Sequence, residues 1–154
     1  MQPNKHRTWA EIDLGAIEHN YRVICEAAKA PVLCVVKADC YGHGAVPVAN
    51  RLQSMGAPYF AVATVPEAVE LRENGIKKPI IILGYIDAAD MDTVAEYGIT
   101  APVYDEETAE LLSAAAVRTS RDITVHYKLD TGMTRIGSVS YTHLRAHTRQ
   151  EAIS

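Results

Sequence analysis

A chain of 154 residues, 48% of them apolar, is long enough to bury the core of one domain. Its formal net charge of −4 and its scattered lysines and arginines give no basic footprint for nucleic acid or an acidic membrane surface. No stretch approaches the roughly 18 apolar residues of a membrane span, Met1 to Trp9 holds no apolar export core, and Cys25, Cys34 and Cys40 are an odd set without C-x-x-C spacing, so free thiols and a cytoplasmic location are expected.

Along the chain, Asp13 is placed to cap a helix whose apolar positions Ile17, Tyr21, Ile24 and Ala28 recur at helical spacing before Pro31. Val32 to Val36 is an unbroken apolar run, the pattern of a strand buried on both faces of a parallel sheet. A helix follows near Ala45 to Met55, then a strand at Tyr59 to Ala63 and a helix opened by Thr64-Val65-Pro66-Glu67, which combines capping-box spacing with an early proline. Gly75 closes that helix. Pro79 to Leu83 reads as the third strand, Asp87 to Tyr97 as a helix ending at Gly98, Thr100 to Val103 as the fourth strand and Glu106 to Val117 as a helix. The fifth strand, Ile123 to Asp130, alternates with period two. Such βα repetition builds a parallel sheet, either open and doubly wound or curled into a barrel.

Two segments carry chemistry. The first delivers Lys37 from the apolar strand into the glycine-containing turn Ala38-Asp39-Cys40-Tyr41-Gly42-His43-Gly44. Lysine is a poor filler there, and an amine kept dry attacks carbonyls, as in Schiff-base enzymes. Gly42 and Gly44 let backbone N–H groups approach an anion, with Tyr41 and His43 as side-chain donors, so the turn can hold a phosphate. In the second, Thr124, His126, Lys128 and Asp130 share one strand face, opposite Ile123, Val125, Tyr127 and Leu129, and the loop Thr131-Gly132-Met133-Thr134-Arg135-Ile136-Gly137 follows.

Val36-Lys37-Ala38-Asp39-Cys40-Tyr41-Gly42-His43-Gly44 resembles the cofactor signature of alanine racemases, with cysteine at position 40 where alanine is usual. Lys128 to Gly137 resembles the second signature of the same family, Lys-x-Asp-Thr-Gly-Met-x-Arg-x-Gly. The resemblance implies a (β/α)8 TIM-type barrel, of which about five of eight βα units are present, and places both segments at strand C-termini, the barrel's active-site face. It implies pyridoxal 5'-phosphate bound covalently to Lys37, with the same lysine as one of two bases that exchange the substrate Cα proton. It further implies that Tyr41 donates to the cofactor phosphate and that Arg135 contacts the cofactor's phenolic oxygen and the substrate carboxylate, held by a carbamylated Lys128. The function implied is interconversion of L- and D-alanine in a homodimer, supplying D-alanine for peptidoglycan. A related serine racemase or a non-catalytic pyridoxal phosphate-binding barrel are the alternatives, and an open α/β binding domain would leave the motifs unexplained.

Read this way, residues 1–137 are a truncated N-terminal barrel domain, and the family's C-terminal β-domain, which carries the second base, is absent. The fragment alone is then expected to be inactive. Residues 138–154 change abruptly in composition, and Ser140 to His147 resembles a peptide translated from sequencing-adaptor DNA, so a non-native or disordered tail is expected. His143 and His147 have the i, i+4 spacing of zinc ligands, but without a glutamate after His143 or a third ligand no metal is assigned.

Overall fold

The computed structural model describes residues 8–139. Helices and strands alternate: α1 Leu14–Ala28, β1 Leu33–Val35, a short helical turn α2 Lys37–Gly42, α3 Ala45–Ser54, β2 Tyr59–Val62, α4 Val65–Glu73, β3 Ile80–Ile82, a 3-10 turn Ala88–Asp90, α5 Met91–Glu96, β4 Ala101–Val103, α6 Glu106–Thr119 and β5 Val125–Tyr127. The expected caps form. Asp13 accepts from the N–H of Gly15 at 2.8 Å and of Ala16 at 3.2 Å. Asp105, not singled out from the sequence, also caps, accepting from Thr108 N at 2.8 Å.

Every strand pair is parallel. β1, β2 and β3 lie side by side in chain order, with Cys34 opposite Phe60 and Phe60 opposite Ile80. β4 pairs with β5, Pro102 opposite His126. A bridge from Ile81 to Thr100 joins the two ladders, supported by Thr100 N to Ile80 O at 2.9 Å and Ile82 N to Thr100 O at 3.1 Å. The sheet therefore runs in the order of the chain, as in one wall of a βα barrel, and no closed barrel forms among the described residues.

Burial separates the two faces. Phe60, Val62, Ile80 and Ile82 are fully buried and form one core with Val48, Leu71 and Met91 from the helices. Leu33, Val35 and Tyr59 stand on the other face and remain 39%, 40% and 43% exposed. In a complete barrel that concave face is filled by side chains from strands across the barrel, so its exposure here is what part of a barrel requires.

Two expectations are adjusted. The fifth strand is shorter than Ile123 to Asp130, because beyond Tyr127 it continues only as a bridge between Leu129 and Ser138. Ser138 itself is tied back to that strand end, donating to Lys128 O at 2.8 Å and accepting from Asp130 N at 3.0 Å. Of the expected tail, residues 140–154 lie outside the described residues, His143 and His147 with them.

Candidate active site

Lys37 stands half-buried just beyond the C-terminal end of β1, as the first residue of α2. The segment that follows is not an ordinary turn. Ala38, Asp39, Cys40 and Tyr41 have φ of 52°, 51°, 51° and 54°, one turn of left-handed helix built from residues with side chains. Each such residue costs roughly 1–2 kcal/mol against its right-handed conformer, so the turn persists only where surrounding bonds over-determine it.

Those bonds are present. Cys40 N donates to Val36 O at 2.9 Å and Gly44 N to Asp39 O at 3.0 Å. The Asp39 carboxylate accepts from Ala45 N at 2.7 Å, which makes it a clamp on the turn and the start of α3. His43 folds back through Nδ1 onto Cys40 O at 2.8 Å. From outside the turn, Glu67 Oε1 accepts from Ala38 N at 2.8 Å. The expected phosphate cradle is corrected at Gly44, whose N–H is already committed to Asp39. Within this segment the structure brings Lys37 and Tyr41 together, the ammonium lying 5.9 Å from the ring centroid. Tyr41 is 65% exposed.

Register carries the same face across the sheet. Val35 pairs with Ala61, Ala61 with Ile81, and Ile81 bridges to Thr100; two residues on, Pro102 pairs with His126, and two further stands Lys128. Val35, His126 and Lys128 therefore belong to one side of one sheet, and Lys37 follows Val35 at the C-terminal end of its strand. Lys128 donates through Nζ to Leu83 O at the end of β3. The half-buried His126 imidazole is held below its ordinary value of 6.5, first by burial and then by the neighbouring Lys128 ammonium. His126 Nδ1 is buried without a partner among the described residues. Tyr104 packs against Tyr85 with centroids 6.3 Å apart, and burial raises its hydroxyl pKa. An orphaned imidazole nitrogen beside a lysine suits a polar ligand better than an apolar filling.

Arg135 is exposed, and it makes no ion pair or hydrogen bond among the described residues. The structure thus joins Lys37 to Tyr41 and ties Lys128 to the end of β3, but does not bring Arg135 to Lys128. The loop between is shaped by Asp130, whose carboxylate accepts from Gly132 N and Thr134 N, both at 2.9 Å. These bonds, Thr134 first, hold the carboxyl below its usual range. Gly137 returns the loop so closely that a Cβ there would lie 2.7 Å from Asp130 N.

Sequence reasoning missed Glu67 as more than a helix cap. Its capping role is legible three residues after Thr64; its bond to Ala38, 29 residues away, is not. Gly84 was also missed, although a Cβ there would stand 2.3 Å from Ala63 O.

With this geometry in place, a family model described as alanine racemase, N-terminal domain, matches residues 12–152. The chain belongs to the alanine racemase N-terminal domain family. It is 44% identical over 131 residues to an alanine racemase of Symbiobacterium thermophilum, covering 84% of this chain and 35% of that protein. Among solved structures it is similar to an alanine racemase of Clostridium difficile 630, with a TM-score of 0.89, 37% identity and coverage of 97% of this chain and 40% of that one. It is also similar to a histidine racemase of Leuconostoc mesenteroides subsp. sake, with a TM-score of 0.83, 30% identity and coverage of 92% and 38%. The chain spans 35% to 40% of the length of the first two alanine racemases. The partial barrel expected from the resemblance is the fold these alanine racemases share with it.

Proposed function

We propose that this chain is the N-terminal part of a pyridoxal phosphate-dependent amino-acid racemase that interconverts L- and D-alanine. The observation that carries the reading is Lys37, set at the C-terminal end of β1 and followed at once by a strained left-handed turn. The donor set fits the cofactor: an amine for its aldehyde, an aromatic hydroxyl at Tyr41, and a buried nitrogen at His126 that lacks a protein partner among the described residues. When bound, pyridoxal phosphate supplies an electron sink for the pair left behind when the substrate Cα loses its proton. Lys37 Nζ would hold the cofactor's aldehyde carbon and take or return the Cα proton on one face of the substrate. Tyr41 would donate to the phosphate. Arg135 would meet the substrate carboxylate with its planar fork. A carbamylated Lys128 would carry negative charge and could hold Arg135, which the ammonium cannot.

The intact protein would work as a cytoplasmic homodimer that supplies D-alanine for peptidoglycan. Among the described residues no helix is long and apolar enough to cross a membrane. The preference for alanine follows the named alanine racemases; serine is the alternative substrate within the same chemistry.

The test is borohydride reduction of the chain mixed with pyridoxal phosphate, followed by peptide mass mapping. The pyridoxyl mass should concentrate on Lys37 and vanish in Lys37→Ala. Label spread evenly over exposed lysines such as Lys77, or no label at all, would overturn the reading.

A further inference from the structure

We propose that Glu67 is a positioning residue for Lys37, fixing the direction in which its amine leaves the sheet; the inference rests on the reading of Lys37 as the aldehyde-binding amine. A carboxylate used only to cap α4 needs the N–H of Thr64, which Glu67 Oε2 accepts at 3.3 Å. Glu67 does more. Oε2 also accepts from the N–H of Ala63, the residue just after β2, at 2.7 Å. Oε1 reaches sideways to Ala38 N at 2.8 Å, across to the peptide that follows Lys37. One half-buried carboxylate thus ties together the C-terminal ends of two adjacent strands and the first peptide of the left-handed turn.

That peptide is where constraint is needed. The bonds made within the segment, Cys40 N to Val36 O, Gly44 N to Asp39 O and Ala45 N to Asp39 Oδ1, fix the turn from Asp39 onward. Ala38 N, the junction between strand and left-handed turn, is held by Glu67. A rotation of the 37–38 peptide swings the Cα–Cβ bond of Lys37, and over a side chain with four methylenes a small swing displaces Nζ well beyond the tolerance of a reacting site. On the other side Ala63 is hemmed in by the close approach of Gly84, so the donor N–H has a rigid support. Two interactions with backbone on separate strands make Glu67 a gauge of distance between them, and its charge strengthens each bond.

The experiment uses the whole chain in three variants, with two readouts. Glu67→Ala removes all three acceptor contacts. Glu67→Gln keeps size but presents one donor group to an N–H. Ala68→Gly weakens α4 without touching the carboxylate. The first readout is amide hydrogen exchange at Ala38, which needs no cofactor; the second is borohydride-trapped pyridoxyl label on Lys37 relative to Lys77 and Lys78. Glu67→Ala should speed exchange at Ala38 and lower the relative labelling of Lys37, each at least about tenfold. Ala68→Gly should leave both near the unmodified values. Unchanged Ala38 exchange and unchanged labelling in a folded Glu67→Ala, or an equal loss in Ala68→Gly, would overturn the inference. If Glu67→Ala does not fold, Glu67→Gln decides: faster exchange at Ala38 or Ala63 supports the proposal, and no change at either overturns it. Should the unmodified chain take no label on Lys37, the functional reading fails, while the exchange of Ala38 still decides whether Glu67 holds the turn.

Discussion

Arg72 offers the sharpest test of how this sheet is held. It lies near the end of α4 and fans its guanidinium onto four backbone carbonyls: Nε to Tyr97 O at 2.9 Å, Nη1 to Ile76 O and Lys78 O, both at 2.7 Å, and Nη2 to Gly98 O at 3.0 Å. These oxygens belong to the approach to β3 and to the turn between α5 and β4, so one side chain joins two successive βα units at the end of the sheet opposite Lys37. Burial pulls the guanidinium below its ordinary pKa, but it stays charged at any pH of interest. A hydrogen bond from a charged donor contributes about 1.5–3 kcal/mol net, so four would give roughly 6 kcal/mol or more. Part of that is returned, because Gly98 O is exposed enough for water to replace the donor, and because Arg72 no longer loses its own hydration. The expected cost of Arg72→Met is therefore about 3 kcal/mol, with a range of roughly 2–5. In a domain of this size that lowers the thermal midpoint by roughly 10–15 °C. Circular dichroism melts of the unmodified chain, Arg72→Met and Arg72→Lys would measure it. Lysine should recover less than half the loss, since a point charge cannot span four acceptors in a plane. A fall of under about 3 °C for Arg72→Met, or full rescue by lysine, would refute the argument.

Further outcomes follow from other groups. His126 has its folded pKa depressed below 6.5, so between that folded value and 6.5 the unfolded chain binds more protons; this contribution to stability is present above 6.5 and lost as pH falls through the folded pKa. The thermal midpoint of the unmodified chain should therefore fall more steeply from pH 7.5 to 5 than that of His126→Asn, and parallel slopes would contradict it. Gly84→Ala forces a Cβ to 2.3 Å from Ala63 O and should destabilise the fold by about 2 kcal/mol or more; a urea midpoint equal to that of the unmodified chain would show the close approach to be unimportant. The Cys34 thiol is buried and pushed up to about 11, chiefly by desolvation, so in the folded chain it should react with a disulfide reagent only on unfolding. Prompt modification of Cys34 mapped by mass spectrometry would argue against its place in the core.

How far the sequence could be read depended on whether a feature is local. Asp13, Thr64 with Glu67, and Gly98 announce helix ends within three or four residues, and each end falls where those residues place it. The strands were legible from apolar runs, although the structure trims each to three or four residues because pairing needs a neighbour of matching length. The candidate site was legible as a pair of motifs, not as geometry. No propensity scale selects Ala38, Asp39, Cys40 and Tyr41 for left-handed helix, since all four disfavour it and the conformation is imposed by Asp39, Ala45 and Glu67 together. The alternation of Ile123 to Asp130 rightly put His126 and Lys128 on one face, but Asp130 turns its carboxylate into the loop and Thr124 is exposed. Arg72 sits in a helix as any surface arginine does, and its four acceptors lie 4 to 26 residues away.

Placing a reactive amine and enclosing it are separate tasks, and this chain performs them unequally. Placement is complete within it: the turn after Lys37 is fixed by Asp39 at one end and Glu67 at the other. Enclosure is not, because Leu33, Val35 and Tyr59 on the same concave face are 39% to 43% exposed, where a closed barrel would cover them. Capture of an aldehyde needs chiefly placement, whereas proton exchange at Cα also needs a water-excluded pocket and a second base on the opposite face of the substrate. The two activities should therefore separate in the purified chain. Pyridoxal phosphate should label Lys37 selectively, while conversion of L- to D-alanine, followed by chiral chromatography, should not exceed that of a Lys37→Ala control. Turnover above the control would show that the residues present already supply a second base and a dry pocket, and the division between placement and enclosure would fall.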